Sequence, residues 1–71
     1  MTTQEWKELR LHTLRGDIQQ IGMETTSTKR GIGEYLARTY LTEDAPITRE
    51  DFDRTLDEEY AKVEAWRKSQ S

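Results

Sequence analysis

The sequence predicts an all-α protein, a small three-helix domain that is either a compact bundle or a set of helices completed by self-association. Three observations carry this expectation. Two helix starts have paired locks, apolar residues recur at helical spacing, and polar or Pro-containing breaks separate the periodic stretches. The clearest start is Ile47-Thr48-Arg49-Glu50-Asp51-Phe52. Thr48 can accept a first-turn amide, and Asp51 can reach back to the amide of Thr48. Asp is shorter than the usual Glu or Gln, which weakens that return bond. Ile47 and Phe52 have the spacing of a hydrophobic staple. Met1, Thr2, Glu5 and Trp6 hold the equivalent places at the N-terminus.

The first helix is expected over residues 3–21. Leu11, Leu14, Ile18 and Ile21 fall on one stripe, with Trp6 on its flank. Gly22 is placed to close the helix in the left-handed conformation, with Met23 packing back on Ile18. Gly16 costs about 1 kcal/mol relative to Ala inside a helix. It is read as a tolerated glycine or one that admits a neighbouring helix. Arg15-Gly16-Asp17-Ile18 could instead turn a hairpin, but residues 9–25 fit a period of 3.6 better than one of two.

Four consecutive hydroxyl residues, Thr25 to Thr28, open a polar connector and offer several alternative caps. The second helix is expected over residues 31–42, with Ile32, Tyr35, Leu36 and Thr39 inward and Tyr40 at the edge. Pro46 forces Ala45 out of helical geometry and ends that segment. The third helix is expected over residues 49–68, with Phe52, Leu56, Tyr60, Val63 and Trp66 as one stripe. Glu50, Asp51 and Asp53 at its start and Arg67 and Lys68 at its end complement the helix dipole. Glu50–Arg54, Glu58–Lys62 and Glu64–Lys68 have the spacing of supporting ion pairs. In composition this acidic helix resembles the partner-binding tails of small bacterial antitoxins and phage regulators. That resemblance covers one helix and assigns no residue a role.

Only 12 of the 71 residues are Leu, Ile, Val or Phe, under the roughly 20% line where disorder competes with folding. The net charge is only −3, and disorder usually needs more. The capped helix starts decide for a folded chain. A core this small rarely supplies more than about 3–5 kcal/mol, so the isolated chain is expected to be marginal or to self-associate. With no cysteine, disulfides, thiolate zinc sites and cysteine nucleophiles are excluded. From the opening Met1, and with no apolar run long enough for a signal peptide or membrane span, a complete cytoplasmic protein is expected.

Chemistry has little to work with. His12 is the only histidine, and helical spacing makes Glu8 its nearest partner. Asp51, Asp53, Asp57, Glu58 and Glu59 are interleaved with cations as a solvated face should be, with no calcium-loop pattern. No catalytic residue, metal or cofactor is expected. The segment Thr26-Ser27-Thr28-Lys29-Arg30-Gly31-Ile32-Gly33 concentrates cations, hydroxyls and glycines before a helix. Exposed amides there favour anions, although the order is not that of a P-loop. Lys29, Arg30, Gly31, Gly33 and Arg38 are therefore candidate partner or anion contacts. Leu9 and Leu41 point away from the stripes and form a candidate apolar contact.

These features predict a non-catalytic, small acidic protein-binding module: an adaptor, inhibitor or regulator of a bacterium or phage, acting through a helical surface. Its partner is a protein, with a second copy as one option and no membrane involved. The alternative is a nucleic-acid-associated regulator contacting phosphates through Lys29 and Arg30. The acidic balance and the lack of a basic helix weigh against it.

Overall fold

A computed structural model describes residues 2–70 and contains three α-helices: α1 (Thr3–Glu24), α2 (Lys29–Tyr40) and α3 (Arg49–Gln70). The chain runs up, down and up. Lys7 meets Asp51, Gln19 meets Glu59 and Gly22 meets Val63, so α1 and α3 run parallel and share the largest interface. The shorter α2 returns antiparallel and packs against both.

Both capping boxes form. Thr2 accepts from the Glu5 amide at 3.1 Å and Glu5 accepts from the Thr2 amide at 3.2 Å. Thr48 accepts from the Asp51 amide at 3.1 Å, while the return bond to Asp51 is the longest of the four at 3.3 Å. The short Asp side chain accounts for that length. Ile47 and Phe52 are both buried. The expected staple partner Met1 lies outside the described residues.

Leu14 and Ile18 are fully buried, with Leu11 and Ile21 partly buried against them. The α1 stripe is therefore the core face. Ile32, Leu36, Tyr40, Ile47, Phe52 and Leu56 complete the cluster, and Val63 is buried farther along α3. Residues 9–25 form no hairpin; the helix runs through Gly16 to Glu24.

Several expectations need correction. Gly22 does not end α1. It is helical and buried, and a β-carbon there would lie 2.5 Å from Val63 Cγ1. Its lack of a side chain lets α3 approach, and Met23 after it stays exposed. Of the two readings of Gly16 the tolerated glycine holds, since nothing lies within 4 Å of its would-be β-carbon. α2 begins two residues earlier than expected because Thr28 takes the cap, accepting from the Gly31 amide at 3.1 Å, and it ends at Tyr40. Its face is also rotated: Tyr40 is buried, while Tyr35 and Thr39 face solvent.

On α3, Trp66 is exposed although it continues the apolar stripe. α2 starts beside Asp57, so the turns beyond Tyr60 have only the end of α1 and the connector to pack on. Asp51, Thr55 and Glu59 take the buried places facing α1. Accordingly Arg54 and Lys62 pair with Asp51 and Glu59, three residues back, rather than with Glu50 and Glu58. No helix among the described residues is long and apolar enough to cross a membrane.

Candidate functional site

The segment singled out by composition is used structurally. Lys29 and Arg30 form the first positions of α2 rather than a loop before it. Lys29 Nζ lies 2.6 Å from Asp57 Oδ1, and Arg30 Nε lies 3.1 Å from Glu34 Oε1. The hydrogen bond and charge of Asp57 push the Lys29 ammonium above its ordinary pKa. Gly33 is buried with Leu56 Cδ2 2.7 Å from a would-be β-carbon, so it serves helix packing. Gly31 donates to the Thr28 cap. Arg38 is exposed and removed from this group. The structure therefore offsets the two cations locally and does not gather the five residues into one cradle.

Leu9 is exposed as expected, but Leu41 is partly buried against the core at the end of α2. An outward Leu41 assumed that α2 continued to residue 42. His12 is exposed and makes no hydrogen bond to Glu8, which instead accepts from Gln4.

Sequence reasoning missed three polar clusters. Asp51 is gripped by Lys7 Nζ at 2.8 Å, by Arg54 at 2.9 Å and by the Thr48 hydroxyl at 2.9 Å. Hydrogen bonds from Lys7 and Thr48 outweigh burial and hold its pKa at about 2. Glu59 accepts from Gln19 at 2.5 Å and Lys62 at 3.1 Å. Burial raises its pKa, but these two partners and the nearby Arg15 together bring it below the ordinary value. Arg67 reaches across from α3 and donates to the carbonyls of Gly22, Thr25 and Ser27 and to the Tyr60 hydroxyl, at 2.8–3.0 Å. It supplies the positive charge that the last turn of α1 lacks.

Among the described residues no buried side-chain nitrogen or oxygen lacks a partner, so these clusters are closed structural networks. No group of three His, Asp or Glu side chains among those residues is arranged to hold a metal ion.

A polar groove of about 400 Å3 lies over the Asp51 cluster between α1 and α3, lined by Lys7, Glu8, Leu11 and Arg15 among others, and two further grooves lie in the cleft between α1 and α2. Tyr35 is 65% exposed in the middle of α2, the most exposed of the large hydrophobic side chains. Two shallow grooves meet at Tyr35 and Ile21. One, of about 310 Å3, adds Asp17, Gln20, Glu24, Leu36 and Thr39. The other, of about 360 Å3, adds Thr25, Ser27, Gly31 and Ile32. Both are open and at the small end of the ~300–1,000 Å3 range of ligand pockets, a size that suits a protruding side chain. At the far end of the same side, Arg10 stacks over Tyr40 at 4.4 Å and approaches Trp6 at 5.7 Å. The Tyr40 hydroxyl donates to Asp17. Burial, then that hydrogen bond, pushes the Tyr40 pKa up to about 12. Comparison with protein-family models, curated proteins and solved structures finds no match to this chain.

Proposed function

We propose that this chain is a non-catalytic protein-binding module that acts through the outer surface of α1 and its cleft with α2. The observation that carries this reading is the distribution of apolar side chains. A chain with so few of them leaves Trp6, Leu9, Met23, Tyr35 and Trp66 exposed. A small domain with a thin core gains nothing from wetting its largest apolar groups, and covering them on a partner would bury that area. Three of the five belong to α1, and Tyr35 projects beside it.

The polar clusters support the same reading. Their members bond to each other and bind helix to helix, so Asp51, Glu59 and Arg67 are engaged in holding the fold. The cations proposed for phosphate contact, Lys29 and Arg30, sit beside Asp57 and Glu34. That weakens the nucleic-acid alternative.

The test is a pull-down from the source cells using wild type and a Leu9→Gln/Tyr35→Gln variant. A protein retained by wild type and lost by the equally folded variant is the expected result. Duplex DNA retained instead, with binding that falls steeply as salt rises, would overturn the proposal.

A further inference from the structure

Resting on that reading, we infer that the α1–α2 cleft receives a protein segment that presents an apolar side chain and, beside it, a lysine or arginine. The apolar part of the lining is Ile21, Ile32 and Leu36 beside the exposed ring of Tyr35. The charge is one-sided. Asp17 and Glu24 are the charged residues that line the first groove, and the second is lined by none. Lys29, Arg30 and Arg38 line neither.

The two carboxylates stand outside the ion pairs that tie the helices together. Asp51, Asp53, Asp57 and Glu59 each have a cation within hydrogen-bond distance. Asp17 accepts only from the neutral Tyr40 hydroxyl, and Glu24 is exposed with no ion pair among the described residues. The cleft therefore presents two carboxylates outside any ion pair of the described residues beside its apolar lining, with Arg10 held on the Tyr40 ring and Arg67 on the Thr25 and Ser27 carbonyls. Complementary charge supplies orientation and encounter rate, and apolar burial supplies the affinity. Tyr35 suits this role, because its ring offers a flat apolar and cation-attracting face with two rotatable bonds to fix.

The experiment is selection from a display library of random peptides against the wild-type chain, followed by chemical-shift mapping of the strongest binder. Enriched peptides should carry Lys or Arg near a Leu, Phe or Trp, and shifts should centre on Ile21, Tyr35 and Leu36. Affinity should fall at least tenfold in Tyr35→Ala. It should fall several-fold in Glu24→Gln, and high salt should weaken the wild-type complex but barely affect the Glu24→Gln complex. Unchanged helicity and melting of both variants would confirm that the fold is intact.

Peptides that bind around Trp6 and Leu9 would overturn this assignment while leaving the protein-binding reading in place. Acidic or uncharged binders in the cleft would overturn the charge argument. Shifts confined to a second copy of the chain would make the occupant this protein itself, and recovery of no binder would count against both readings.

Discussion

Gly16, Gly22 and Gly33 all sit inside helices, and an added β-carbon would meet a different environment at each. At Gly16 it meets open space, so Gly16→Ala should stabilise by about 1 kcal/mol through helix propensity alone. At Gly22 it would strike Val63 within a packed interface, so Gly22→Ala should destabilise by about 1–3 kcal/mol. Gly33 falls between, since it meets the end of the Leu56 side chain, which can rotate. Urea melts of the first two variants check the opposite signs. Asp51 gives a second test at this scale. Its pKa of about 2 lies below the ordinary 3.8, so its contribution is present above pH 4 and is lost as pH falls towards 2. Glu59 shifts in the same direction. In a pH series of urea midpoints, Asp51→Asn should be less stable than wild type by roughly 1–2 kcal/mol at pH 7 and should converge with it near pH 2.

Each helix is tied by its ends. Thr48→Ala should cost about 1 kcal/mol through loss of the α3 cap. Arg67→Met should cost roughly 1.5–3 kcal/mol, since a charged donor then leaves the Gly22, Thr25 and Ser27 carbonyls. Amide exchange should quicken in the last turn of α1 in Arg67→Met but not in Thr48→Ala, a contrast that hydrogen-exchange measurement can read. The same ends explain what the sequence could convey. Caps are local, so the starts at Thr2 and Thr48 were legible from residues three apart. Four hydroxyls in a row left the α2 start ambiguous, and a 12-residue helix is too short for its period to fix its phase. Tyr35, expected inward, therefore lies outside, and Tyr40, expected at the edge, is buried. Arg67 was legible as a cation suited to a helix end. That the end is that of α1 depends on the parallel packing of α1 and α3, which no local pattern contains. Gly22 looked like a terminator for the same reason: the contact that explains it lies 41 residues away at Val63. Of the candidate surface, Leu9 could be read from the sequence, whereas the cleft could not, because it needs the correct phase of α2.

At the scale of the whole molecule, one narrow core and a few closed ionic clusters hold three helices, and the largest exposed apolar groups stand outside both. The central claim is that those groups serve a partner and not the fold. Core and surface variants should therefore separate sharply. Phe52 is buried at the centre of the core, so Phe52→Ala should cost about 3–5 kcal/mol, enough to unfold most of a chain whose core supplies about that much. The most direct measurement is urea unfolding of a Leu9→Gln/Met23→Gln/Tyr35→Gln variant beside wild type and Phe52→Ala. The triple variant should stay within about 1 kcal/mol of wild type, as surface substitutions do. A loss in the triple variant comparable to that in Phe52→Ala would show that these side chains hold the fold together and would contradict the account.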